Sequence, residues 1–178
     1  MSRISTLSPA AIKAMFSAES EEILITLLTI KADPTIGLPQ DVRLADNFTQ
    51  RMSTPIGLDP EDVYYGVVSG GLEYPFVPLE ITLPNDDDSA APRCTITIQD
   101  VTRLLIPTIR ELRGAPSAEL KLVLNSSPNI TEASFIGFRL TNISYNSTTV
   151  TAELNMPSLD VEPFPTHCFT PAFFPGLF

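Results

Sequence analysis

Strand-like segments follow one another along this chain with turn formers between them, and that succession restricts the fold more than any other feature. Ile23 to Ile30 is dense in β-branched and large apolar residues and stops at Asp33-Pro34, with Gly37 and Pro39 beyond. Arg93 to Gln99 alternates strictly, with Cys94, Ile96 and Ile98 on one face and Thr95, Thr97 and Gln99 on the other. Asp62 to Ser69 and Tyr74 to Leu83 read as strands around a Gly70-Gly71 turn, and Asp41 to Asp46 as a short one. Glu119 to Leu124, then Phe135 to Tyr145 and Ser147 to Met156 around an Asn146 turn, complete the set. Strands in runs, not alternating with helices, exclude a doubly wound parallel sheet. The expected class is mainly β with flanking α: an antiparallel β-sandwich or split barrel packed by one helix.

Two helices interrupt the strands. Ser8 suits an N-cap and Pro9 the first helical position, with Ile12, Met15 and Phe16 at i, i+3, i+4, so a short amphipathic helix is expected over about 8–20. A second is expected from Asp100 to about Arg113, striped by Leu104, Leu105, Ile109 and Leu112, with Pro107 tolerable only if the helix proper starts near Leu104 or is kinked. Residues 47–62, with Pro55, Gly57 and Pro60, read as a long loop, and Asn85 to Ser89 as a solvated turn. Residues 1–162 are expected to form a single β-rich domain.

The inventory for chemistry is thin. One His and two Cys leave any zinc site short of ligands. His167 and Cys168 are neighbours, and adjacent side chains of an extended segment face opposite ways, so they do not pair as base and nucleophile. Asp86-Asp87-Asp88 lacks the spaced ligands, glycine turn and distal Glu of a calcium loop. Asp62 and Glu80 have no spacing that singles them out as a glycosidase pair, and Gly70-Gly71 lacks the flanks of a phosphate loop. The chain is read as a non-enzyme with no catalytic residue, no metal and no cofactor. Both cysteines are expected as free thiols. The sequons at Asn47, Asn125, Asn129, Asn142 and Asn146 are read as turn and strand composition.

A formal net charge of −10 argues against a dedicated nucleic-acid binder and against a basic membrane anchor. The acid lies mostly in residues 1–89, where 14 acidic residues face 5 basic ones. That half is either a solvated face, a surface for a basic partner, or the wall of a polar channel. No secretory leader is visible at Met1-Ser2-Arg3-Ile4-Ser5, and no run approaches the length of a membrane span, so cytoplasmic assembly is expected.

Half of the ten Phe residues lie in the last 17 positions: Phe164, Phe169, Phe173, Phe174 and Phe178. Pro163, Pro165, Pro171 and Pro175 forbid a regular helix or a central strand there. An extended aromatic tail has to dock, either over its own sheet or in a groove of a neighbouring subunit. Phe164, Phe169, Phe173, Phe174, Leu177 and Phe178 are the expected subunit-interface residues of a docking tail spanning 163–178.

The ending Pro163-Phe164-Pro165…Phe169-Thr170-Pro171-Ala172-Phe173-Phe174-Pro175-Gly176-Leu177-Phe178 resembles the C-terminus of a family of uncharacterised minor tail or distal tail-tip proteins of long non-contractile-tailed bacteriophages. The resemblance extends upstream through Glu73-Tyr74-Pro75-Phe76, Glu80-Ile81-Thr82-Leu83-Pro84, Arg93 to Ile98 and the strand pair ending at Asn155-Met156. It implies a tail-tube-like β-sandwich in the virion that joins the tail tube to the tail-tip hub. The implied partners are further copies in a ring, six rather than three, with other tail-tip, tail-tube and hub proteins and the tape-measure protein. The alternative is a receptor- or carbohydrate-binding β-sandwich module, with Tyr64, Tyr65, Tyr74 and Tyr145 lining a groove.

Overall fold

The computed structural model describes residues 7–52, 64–82, 93–99, 105–146, 148–156 and 176. Helix α1 (Pro9–Phe16) leads into strand β1 (Leu24–Ile30), a 3-10 turn at Pro34–Ile36, then β2 (Val42–Ala45), β3 (Gln50–Met52), β4 (Tyr64–Ser69), β5 (Leu72–Pro75), β6 (Leu79–Thr82) and β7 (Arg93–Gln99). Helix α2 (Leu105–Glu111) and strands β8 (Ser117–Leu124), β9 (Ser127–Tyr145) and β10 (Thr149–Asn155) follow. A seven-stranded sheet in the order β2-β1-β8-β9-β10-β7-β6 faces a three-stranded sheet in the order β3-β4-β5, and neighbouring strands are antiparallel throughout. The architecture is an antiparallel β-sandwich with a flanking helix.

Strand β1 sits where the two layers meet. Its residues from Ile25 to Thr29 are all buried. Leu28 packs with Leu44, Ile96, Leu120, Phe138 and Leu154 in the larger core. Ile25 and Leu27 point the other way, into a second cluster with Val67 and Tyr74 of the small sheet. This is why Ile23 to Ile30 reads as a continuous apolar run and not as an alternation: both faces of the strand are covered. Thr29, also on the second face, meets the Tyr74 hydroxyl with its own at 3.2 Å, so neither buried oxygen lacks a partner.

The seven-stranded sheet curls strongly. Leu28 and Leu44 at one end of the strand order and Ile96 and Ala152 at the other belong to one cluster. The chain between the sheets stitches this curl: Ala45 pairs with Phe76, the Ala45 carbonyl accepts from Val77 N–H, and the Pro78 carbonyl accepts from Gln99 N–H. Helix α2 covers the concave face, and Ile109 and Leu112 close over an apolar cavity of about 40 Å³, too small for a ligand.

The bends come from β9. Along this strand the inward residues Phe138 and Leu140 are two apart, but Phe135 to Phe138 and Leu140 to Ile143 are three apart. The register shifts against β8 and β10 at these places, and Gly137 (φ 85°) and Asn142 (φ 50°) take left-handed backbone there. Each is a β-bulge, which adds a residue, bends the strand and raises its twist.

Several expectations are corrected. Tyr74 to Leu83 is not one strand: Pro75 ends β5 in the small sheet, and after Pro78 the chain starts β6 in the large one. The loop expected over 47–62 contains β3, and residues 53–63 lie outside the described set. Strand β9 begins at Ser127, well before Phe135, because its bulges break the period of two. Helix α1 ends at Phe16 and turns inward through Ala11 and half-buried Ile12, while Met15 and Phe16, expected on the packed stripe, are 61% and 75% exposed. Helix α2 is described over Leu105–Glu111 and ends before the expected Arg113; it includes Pro107, and Ile106 is buried. Asp100 to Leu104 and Asn85 to Ser89 lie outside the described residues.

A Cβ at residue 137 meets nothing closer than the Met156 methyl at 3.6 Å, so the cost of a side chain there is conformational and not steric. Gly137→Ala is expected to destabilise by about 1–2 kcal/mol and Gly137→Asn by clearly less, since Asn tolerates the left-handed region. Urea unfolding midpoints of the two variants check this.

Candidate interaction surface

Few of the sequence-level chemical candidates come together. His167, Cys168, Asp62 and Asp86 to Asp88 lie outside the described residues, as do Phe164, Phe169, Phe173, Phe174, Leu177 and Phe178. Glu80 is exposed on the edge strand β6. Among the described residues no cluster of three or more His, Cys, Asp or Glu is placed to hold a metal, and no helix is long and apolar enough to cross a membrane. Cys94 is buried in the larger core, and burial pushes its thiol up to about 11, so the thiolate is scarce at neutral pH.

The asparagines do the local work expected of turn residues. Asn146 Oδ1 accepts from Thr148 and Thr149 N–H at the β9–β10 turn, and Asn47 Oδ1 accepts from Phe48 N–H. Asn129 Oδ1 accepts from Gly70 N–H at 2.9 Å and the Pro128 carbonyl accepts from Ser69 Oγ at 2.6 Å, which ties the β4–β5 turn to the start of β9. The four tyrosines do not share a groove. Tyr74 is core, Tyr64 is half-buried, and exposed Tyr65 and Tyr145 lie on different sheets.

Among the described residues, exposed and half-buried apolar side chains come together at the surface in at least three places. The Phe48 ring, just after β2, lies tilted 5.1 Å from Tyr65 and edge-on 5.3 Å from Phe76. Met15 and Phe16 stand out from α1, followed by the acidic stretch Glu19, Glu21 and Glu22. The helix is fastened at its start: Ser8 Oγ accepts from Ala11 N–H, and the buried Glu132 carboxylate accepts from Ser8 N–H at 2.7 Å. The third place is the C-terminal end of α2, which sequence periodicity does not single out. There an open apolar cleft of about 420 Å³ includes Ile109, Leu112, Ala115, Ile143 and Tyr145, and a second of about 610 Å³ includes Thr35, Arg110 and Arg113. Arg110 lies over the Tyr145 ring, 5.7 Å from its centroid. The cleft walls are rigid because Arg113 N–H donates to the Ile36 carbonyl and Gly37 (φ 87°) packs where any Cβ would run into the Glu111 carbonyl.

Two carboxylates on the β1–β2 side are held below their ordinary range. For Glu119, burial pushes upward, but hydrogen bonds and ion pairs with Lys31 (3.1 Å) and Lys121 (3.3 Å) prevail. For Asp41, the Ala32 N–H lowers the value, opposed by burial and aided by Arg43 at 2.7 Å.

No protein-family model and no curated protein matches the chain.

Because the Glu119 carboxyl is lowered on folding, its contribution is complete above its ordinary value of 4.5 and disappears as pH falls through the lower folded value. Glu119→Gln is therefore expected to be less stable than wild type at pH 7, with the difference shrinking towards zero in acid. Urea midpoints of both proteins between pH 7 and pH 2 measure it.

Proposed function

We propose that this chain is a structural component of a bacteriophage tail tip, a distal-tail or hub-connecting ring protein that joins the tail tube to the hub through contacts between subunits. The observation that carries the reading is the Pro- and Phe-rich ending over 163–178, which resembles the ending of such tail proteins and is too aromatic to be left in water. The antiparallel sandwich with its flanking helix is compatible with the fold that the resemblance implies. Three separate exposed apolar places on one small domain suit a protein with neighbours on several sides. In this role Phe164, Phe169, Phe173, Phe174, Leu177 and Phe178 bury themselves against an adjacent copy, each Phe contributing about 1.5–3 kcal/mol before ordering costs. The chain acts without cofactor or catalysis, its net charge of −10 disfavours DNA sticking to it, and its place is the virion after assembly in the host cytoplasm.

A cryo-EM map of the tail tip of the phage that encodes this chain is the test. The expected result is a closed ring of this protein, six copies around the axis, with 163–178 against a neighbour. A peripheral, ringless position with that segment folded on its own domain would overturn the proposal.

A further inference from the structure

We infer that the cleft at the C-terminal end of α2 receives the exposed α1 end and acidic stretch of a second copy of this chain. The inference deepens the ring reading, which it uses only for the closure of the contact.

The two surfaces match in chemistry. The apolar cleft offers Leu112, Ile143 and Tyr145, and the second cleft, joined to it where Arg110 lies over Tyr145, offers Arg110 and Arg113 with Glu111 as its single acidic group. Among the described residues neither arginine has a carboxylate partner. The other surface offers Met15 and Phe16, both mostly exposed, followed at once by Glu19 and Glu21, which also have no cationic partner among the described residues. Apolar side chains meet apolar wall, and carboxylates meet guanidinium groups that present paired donors in a planar fork. The stacking of Arg110 on Tyr145 holds one of those forks in place beforehand.

The contact cannot close within one chain. The Ile23 carbonyl accepts from Asn125 N–H at 2.9 Å, so the acidic stretch joins β1 beside the β8–β9 turn. The cleft lies by Ile143 and Tyr145, at the far end of β9. Strand β1 runs between the two places, from Ile23 beside Asn125 to Lys31, whose N–H donates to the Ser117 carbonyl two residues after Ala115 of the cleft, roughly 25 Å at about 3.3 Å per residue. One copy's donor surface and its receptor surface therefore lie at opposite ends of the domain. Such a pairing is heterologous, and repeated from copy to copy it generates a ring when the rotation closes and a filament when it does not.

The test is sedimentation velocity on the full chain at low and high salt, with two charge-reversed variants, Arg110→Glu/Arg113→Glu and Glu19→Arg/Glu21→Arg. Wild type is expected to self-associate at low salt and to dissociate as salt rises. Each variant alone sets like charges against each other in every copy, and its association is expected to weaken by at least about tenfold. Mixed one to one, the variants restore opposite charges at every contact, so association is expected to return, which also shows that both are folded. Wild-type association that ignores both reversals would overturn this contact and leave the ring reading standing. A monomeric wild type at low salt, or a mixture that fails to recover, would overturn the contact as well, and the tail-tip map then decides the ring reading separately.

Discussion

The burial of β1 on both faces is the constraint on which the rest of the structure depends. One strand contributes Leu28 to the larger core and Ile25 and Leu27 to the smaller one, so neither sheet keeps its apolar face covered without it. A three-stranded sheet such as β3-β4-β5 has little stability alone, because its single apolar face must lie against something. Here that something is β1 with the Val123 side of β8, and the Thr29–Tyr74 hydroxyl contact lets a polar group at the interface stay dry. Asp46 adds register: its Oδ1 accepts from Thr26 N–H at 2.8 Å, and its own N–H donates to the Thr26 carbonyl at 3.2 Å.

The second constraint is curvature. A flat seven-stranded sheet would leave its apolar face too wide for one short helix to cover. The bulges at Gly137 and Asn142 bend β9 in the middle of the strand order, and β6 comes round towards β2. Helix α2 then has only a narrow opening to close. The same economy exposes its C-terminal end, and it is there that Arg110 and Arg113 line an open cleft.

What was legible in the sequence follows from these two constraints. Strands buried on one face, such as β7 with Cys94, Ile96 and Ile98, alternate cleanly and are found in place. Strand β1 is legible as a strand because it is apolar throughout, but not as the partner of two cores, since an uninterrupted run does not say what lies on each side. Strand β9 is half hidden because each bulge shifts the apolar period by one residue; the spacing of three between Phe135 and Phe138, with Gly137 between them, is the signal that marks it. Pro75 and Pro78 mark irregularity within Tyr74 to Leu83, but two prolines do not say that a chain changes layers. On the surface, Met15 and Phe16 are exposed despite their spacing, because periodicity identifies a stripe and not whether anything covers it. The α2 cleft was invisible because its arginines and apolar wall come from segments distant in sequence.

Native-state hydrogen exchange resolved by residue tests whether β1 joins the two sheets. If β1 binds the two sheets into one unit, amides of β4 in the small sheet and of β1 and β8 in the large one open with a common free energy equal to that of global unfolding. A β4 that exchanges through a separate opening, several kcal/mol easier than that of β1, would show that the small sheet is an independent flap and would contradict the account.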